Sequence, residues 1–245
     1  MENEKLLVTK SNYLVEAGYK LSLNEQRLIL FIISQLDGRK PMPKNGDFSI
    51  SASEFSKTFN LPIKQSYEIL DDAASRLYER DIKTFDKKAN IRKRFRWVDG
   101  VKYWDGEAKV TLSLSRHVAP YLTLLHRQFT TYDLKQITQL KSAYSIRFYE
   151  LFIQFINSGE RFIYLEKLRD LFELTSEYPR FYDFKRRILQ PSIDEINKNT
   201  DISVDWDVIK KGRTITGLNF IFEKNEHSSL QKKQERCPDT MEMFT

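Results

Sequence analysis

One order of elements occurs twice in this chain, and that repetition constrains its fold more than any other feature. In the first half, SLNEQRLILFIISQL (residues 22 to 36) puts Leu28, Ile29, Phe31, Ile32 and Leu36 on one broad apolar stripe, the pattern of a packed helix. GRKPMPKNG then breaks it with two Pro and two Gly. FSIS is a short strand, and Ser51 with Glu54 forms an S-x-x-E capping box that opens a short helix, SASEFSKTFNL. After Pro62, the apolar residues Ile63, Tyr67, Leu70, Ala74 and Leu77 step by fours and threes, which predicts a longer helix over Lys64 to Arg80. Two β-rich runs, RKRFRWV and AKVTLSLS, flank a turn containing Asp99-Gly100 and Asp105-Gly106 and read as a two-stranded ribbon. Helix, strand, helix, helix and ribbon is the order of a winged helix.

The second half repeats it. Arg27-Leu28 corresponds to Arg147-Phe148, Phe55, Phe59 and Leu61 to Leu168, Phe172 and Leu174, and Leu112 and Leu114 to Phe220 and Phe222. The matched pairs draw closer along the chain because loops and inserts differ, including an insert near SEYPRFYD. The expected fold class is α+β, mostly helical: two tandem winged-helix domains from an internal duplication, 1–130 and 131–225, joined near HRQFTTYDLKQITQLK. Residues 226–245 form a polar tail expected to be disordered.

The two long helices are not equivalent. The first exposes Glu68, Asp71 and Asp72, which repel phosphates. The second starts after Pro179 and carries Arg180, Lys185, Arg186 and Arg187 on its first turns. On a helical wheel Arg180, Arg186 and Arg187 point away from Phe181, Phe184 and Ile188, with Lys185 flanking the apolar arc. A helix-turn-helix seats one face of its second helix on the core and offers the first turns of the other to the major groove. Arg there can bond guanine O6 and N7 or hold a phosphate. Pro191 lacks a donor and crowds the carbonyl four residues back, so a kink or break is expected there. Both ribbons are basic: KKANIRKRFR, residues 87 to 96, has six basic residues and no acid, and Lys210, Lys211 and Arg213 mark the second wing tip. Such wings run beside a phosphate backbone or into a minor groove. Taken alone, Arg180 to Arg187 fits a solvated face as well as a site, and KKANIRKRFR, interleaved with Ile91, Phe95 and Trp97, points further toward nucleic acid; two winged-helix patterns beneath them favour DNA. Trp97, Tyr103, Trp104 and Trp206 read as core or ribbon packing.

The net charge of +6 on 245 residues is a moderate bias that fits a polyanionic partner. No run approaches the ~18 apolar residues of a membrane span, and MENEKLLVTK lacks the apolar region of a secretory signal. The single cysteine, Cys237, cannot form an internal disulfide, which fits a reducing cytoplasm. His117, His126 and His227 have no metal-ligand spacing, and no phosphate-loop, dinucleotide or nucleophile-elbow motif is present. The expectation is a binding protein with no enzymatic activity, no cofactor and no metal.

Three stretches, LVTKSNYLVEAGYKLSLNEQRLILFIISQL, KSAYSIRFYELFIQF and YPRFYDFKRRILQPSIDEINKNTDISV, resemble the replication initiator (Rep) proteins of iteron-carrying bacterial plasmids, over roughly residues 6 to 223. The last stretch is the most specific. The resemblance implies a monomer on direct repeats at a plasmid origin, in equilibrium with a homodimer that represses its own gene at an inverted repeat. It implies that the N-terminal domain supplies much of the dimer interface and that host replication proteins, an initiator and a helicase, are partners. It assigns base contacts to Arg180, Tyr182, Lys185, Arg186 and Arg187. It assigns accessory contacts to Lys64, Gln65, Ser66 and the run Arg92, Lys93, Arg94 and Arg96. A relaxase-type initiator needs a paired His site and a nucleophilic Tyr, and the unpaired His residues argue against nicking. A dedicated winged-helix transcriptional regulator uses the same chemistry and differs in its target, a lone palindrome. A DNA-processing enzyme and a purely protein-binding tandem winged helix are the readings from other classes.

Overall fold

A computed structural model describes residues 5–86, 90–174 and 176–225. Lys87 and Lys88 of the basic run, and the tail with His227 and Cys237, lie outside the described residues.

The chain opens with β1 (Leu7–Ser11) and a short α1 (Asn12–Val15). Ser22 then starts α2 (Leu23–Ser34) with a full capping box: its hydroxyl accepts from Glu25 N–H and the Glu25 carboxylate accepts from Ser22 N–H. β2 (Asp47–Ser51) runs straight into α3 (Ala52–Phe59), capped in the same way by Ser51 and Glu54. Asn60 ends α3 in the left-handed region at φ 52°, a conformation Asn tolerates. Pro62 precedes α4 (Ile63–Tyr78), which buries Leu70, Ala73, Ala74 and Leu77.

The strands that follow differ from the sequence expectation. RKRFR is not a strand of the wing. It forms β4 (Ile91–Arg96), paired antiparallel with β3 (Asp81–Asp86) in a separate two-stranded hairpin. The wing is β5 (Val98–Trp104) with β6 (Lys109–Leu114). Asp99-Gly100 is not a turn but an irregularity inside β5, where the register shifts between Val98 and Gly100. Gly inside a strand often marks such a bulge. The true wing turn is Asp105–Glu107, closed by Ala108 at φ 47°.

β7 (Phe129–Asp133) pairs with β1, so the segment between the halves is tied to the N-terminus. The second half then runs α5 (Ala143–Ile153), β8 (Glu160–Tyr164), α6 (Leu165–Leu171), α7 (Phe181–Phe184), a π-helical turn (Lys185–Leu189), α8 (Gln190–Asn199), β9 (Ile202–Lys211) and β10 (Thr214–Lys224). The sheets correspond strand for strand, β2-β6-β5 in the first half and β8-β10-β9 in the second, with the last wing strand in the middle of each. The matched residue pairs also fall on equivalent elements: Arg27 and Arg147 on α2 and α5, Phe55 and Leu168 on α3 and α6, Leu112 and Phe220 on the central strands.

One apolar cluster runs through both halves. Two buried arginines cross the junction in opposite directions. Arg27 Nη2 donates to Leu140 O at 3.1 Å, and Arg147 Nη2 donates to Ala17 O at 2.8 Å. Beside Arg147, the fully buried Glu150 pairs with Lys10 and accepts from Tyr132 Oη at 2.7 Å. Burial, then Glu150, pushes the Tyr132 phenol well above its ordinary range. Arg161 reaches Glu16 at 2.8 Å. Losing one partner of a fully buried pair such as Lys10–Glu150 typically costs about 3–5 kcal/mol, so the junction is held by specific charges as well as apolar contact. Among the described residues no helix is long and apolar enough to cross a membrane.

Candidate nucleic-acid interface

The second long helix is set by its approach. Tyr178 sits in the left-handed region at φ 53°, a strained place for an aromatic residue. Arg169 of α6 holds that loop by two bonds, Nη1 to Glu177 O at 3.1 Å and Nη2 to Tyr178 O at 2.6 Å, with its guanidinium 5.5 Å from the Phe184 ring centroid. Arg180 is the N-cap residue of α7, exposed and making no side-chain cap. Phe184, Ile188, Leu189, Ile193 and Ile196 then seat the helix in the core.

Pro191 neither breaks nor ends the helix. The π turn just before it carries the chain through: Phe184, Leu189 and Gln190 all keep right-handed helical angles. A π turn changes which carbonyl faces which donor, which is how a missing proline N–H is absorbed mid-helix. Its wider winding leaves Lys185, Arg186 and Arg187 all exposed while Ile188 and Leu189 are buried.

Each cation of that turn leans on a ring. Lys185 Nζ lies 5.1 Å from the Trp206 centroid, Arg186 Cζ 5.5 Å from Tyr182, and Arg187 Cζ 6.0 Å from Tyr178. Such contacts limit where long side chains wander before they meet a ligand. Asp183 lies 3.8 Å from Arg186, and Asp194, Asp205 and Asp207 line the same cavity as Lys185. Trp206 is half-buried on β9 and also packs against Phe181, as ribbon packing predicts. Lys210, four residues further along β9, stands about 13 Å away at ~3.3 Å per residue. Lys211, Gly212 at φ 64° and Arg213 complete the exposed wing tip. The free edge of β9 is closed from within. Asn197 pairs with both backbone groups of Val204, and Asp205 and Asp207 accept from Trp206 N–H and Val208 N–H.

The first half carries more acid on the corresponding surfaces, part of it paired: Asp72 with Arg76 and Glu107 with Lys109. On α4, Lys64 and Gln65 are exposed, but Glu68 and Asp72 follow them on the exposed face. Ser66 leaves the candidate interface: it is fully buried and its hydroxyl donates to Pro62 O at 2.8 Å, the local bond that a Ser near a helix start makes. The wing tip carries Asp105 and Glu107. Tyr67 donates to Asp105 at 2.5 Å, and that bond pushes the Tyr67 phenol up to about 12. On the β3–β4 hairpin, Arg94 pairs with Asp81, and Arg96 pairs with Glu79 at 3.0 Å while stacking on Tyr78. Arg92 and Lys93 are exposed on the same strand.

The structure therefore brings Tyr182, Lys185, Arg186 and Arg187 together and adds Arg169, Tyr178 and Trp206 as their support. Arg169 and Tyr178 carry no sequence signal of this role, because a carbonyl clamp depends on loop geometry. Among the described residues no three His, Cys, Asp or Glu side chains group to hold a metal.

Two family models match. The Initiator Replication protein WH1 model covers residues 7–153, and the Initiator Rep protein WH2 model covers residues 164–222. The chain belongs to the replication initiator proteins. The initiator is 24% identical over 258 residues to the PI protein of Escherichia coli, a match covering 91% of this chain and 85% of that one. It is 23% identical over 227 residues to an uncharacterised 27.6 kDa protein of Escherichia coli, covering 88% and 95%. A crystal structure of Pi initiator protein in complex with iteron DNA superposes with a TM-score of 0.77 at 23% identity, covering 91% of the initiator and 99% of that chain. That likeness confirms the tandem winged-helix fold.

Proposed function

We propose that the protein is a non-enzymatic, sequence-specific double-stranded DNA-binding plasmid replication initiator, which binds direct repeats at its origin as a monomer. The observation that carries this is the first turn and a half of the second recognition helix, where Lys185, Arg186 and Arg187 lean on Trp206, Tyr182 and Tyr178 and all face solvent. Arg180, Tyr182 and the three cations read bases, while Lys210, Lys211 and Arg213 follow the phosphate backbone. Lys64, Gln65, Arg92 and Lys93 add contacts with little sequence choice, and Arg94 and Arg96 join them by exchanging their carboxylate partners for phosphates. The similar Pi initiator protein was crystallised with iteron DNA, which supports the same target here. A homodimer occupies an inverted repeat and represses the gene, with the first domain supplying the interface, and host replication proteins are recruited at the origin. The protein works in the bacterial cytoplasm.

Footprinting across the DNA flanking the gene tests this. Protection of tandem direct repeats of about two helical turns supports the initiator. Protection of a lone palindrome makes the protein a dedicated regulator. Strand cleavage of supercoiled plasmid with Mg²⁺ contradicts the non-enzymatic reading.

A further inference from the structure

The outer face of the second sheet is dressed unlike the rest of this basic chain. Strand alternation puts Glu160, Phe162 and Tyr164 of β8 on that face, with Ile221, Asn219 and Gly217 of β10 opposite them in register. Asp205, Asp207 and Ile209 of β9 continue the same three rows. Tyr164 is 63% exposed, Ile221 61%, Phe162 43% and Ile209 41%. The Phe162 ring lies across Gly217, where a Cβ would come within 2.5 Å of Phe162 Cε2, and it meets Tyr164 edge-on at 4.6 Å. Glu160, Asp205, Asp207 and Glu223 surround these side chains, all exposed and without an ion-pair partner among the described residues. The equivalent face of the first sheet is different. Ser49, Thr111, Ser113, Asp47, Lys102 and Trp104 close on one another by hydrogen bonds there.

An acidic, apolar face repels DNA and repels a copy of itself, so neither duplex nor a symmetric dimer fits it. It is also small. Three strands about 4.8 Å apart and rows spanning about 13 Å make a patch far below the ~1,200–2,000 Å² that a free-standing interface buries. It suits an occupant that is basic and already held nearby. Direct repeats supply one, because they set identical copies side by side in the same orientation. Neighbours then meet through two different surfaces, at the high effective concentration that a shared duplex provides. We propose that this face receives a basic surface of a second copy of the protein bound at the adjacent repeat. The inference rests on the direct-repeat reading above.

The test is a binding titration of the full chain on duplexes carrying one repeat, two adjacent repeats, and two repeats separated by five extra base pairs. The parent is expected to bind the second adjacent repeat about 5- to 150-fold tighter than a lone one, the usual range of coupling between sites. Half a helical turn of insertion moves the copies to opposite sides of the duplex and abolishes the gain. Tyr164→Ser with Ile221→Thr, and separately Glu160→Lys with Glu223→Lys, should remove the gain while affinity for one repeat stays within about twofold, as distant surface changes allow. Melting curves identify any variant that fails to fold, and the two pairs are independent. No gain in the parent overturns the contact, as does a gain that survives both pairs or the five-base-pair insertion. Loss of a free-solution dimer with Tyr164→Ser, without any effect on adjacent repeats, also overturns it. If the parent shows no preference for a single repeat over scrambled DNA, the direct-repeat reading itself has failed.

Discussion

The two winged-helix halves share strand order and a pair of reciprocal arginines, yet their helix and wing faces differ in charge. In the first half α4 exposes Glu68 and Asp72, and the wing tip carries Asp105 and Glu107. In the second half the helix exposes Lys185, Arg186 and Arg187, and the wing tip carries Lys210, Lys211 and Arg213. The difference lies wholly in residues that the core does not need. A duplicated fold therefore does not duplicate a site, since function sits on the side chains grafted onto the scaffold. The first half clusters Arg92, Lys93, Arg94 and Arg96 on an added element, the β3–β4 hairpin, where carboxylates already engage Arg94 and Arg96.

The largest effects should fall on both halves alike, because both helices are seated in the same way. Phe184→Ala and Leu70→Ala each empty a fully buried seat. Each should cost about 2–5 kcal/mol of stability, read from thermal unfolding. Only Phe184→Ala should also impair discrimination of cognate from scrambled DNA. Equal impairment by Leu70→Ala would erase the proposed division of labour.

Arg169→Ala sharpens the comparison one step out from the interface. It frees two carbonyls of the loop that aims the second recognition helix, a loss of about 1.5–3 kcal/mol for bonds to a charged donor. Cognate affinity measured by isotherm should fall although Arg169 spends its guanidinium on the loop carbonyls. Unchanged affinity would mean that the loop holds its strained shape without the clamp.

Charge changes on the two wings should be smaller and opposite. Lys210→Ala or Lys211→Ala should weaken every sequence and lower the salt slope by about one unit each. Glu68→Lys or Asp105→Lys in the first half should strengthen binding to random duplex and steepen the slope by about one unit per phosphate gained. If the first-half reversals leave affinity and slope untouched, that face never approaches the duplex.

The parts of this fold that were legible in the sequence are those fixed by local chemistry. Ser22 with Glu25, and Ser51 with Glu54, announce their helices because a capping box is a contact between near neighbours. The amphipathic stripes of α2 and α4 follow from helical period alone, whereas the joint exposure of Lys185, Arg186 and Arg187 rests on the π turn. What was not legible depends on distant partners. Val98–Trp104 is a strand only because it pairs with Lys109–Leu114, and its Asp99-Gly100 mimics a turn in isolation. β1 is a strand because β7, over a hundred residues away, completes it. Pro191 reads as a helix breaker until a π turn absorbs it. Ser66 looks available by position and is lost to a bond with Pro62.

Arg186 and Arg187 are the residues on which base reading by the second half depends most. Isotherms of Arg186→Ala and Arg187→Ala on cognate and scrambled duplexes at several salt concentrations, with Lys64→Ala as the first-half counterpart, measure the claim in one experiment. At least one of the two arginines should lose about 1–3 kcal/mol on the cognate repeat and relax choice at a single base pair, as expected of a bidentate guanine contact. Lys64→Ala should weaken cognate and scrambled DNA equally. If both arginine variants bind the cognate repeat like the parent, or if Lys64→Ala alone relaxes base choice, the second half is not the reader.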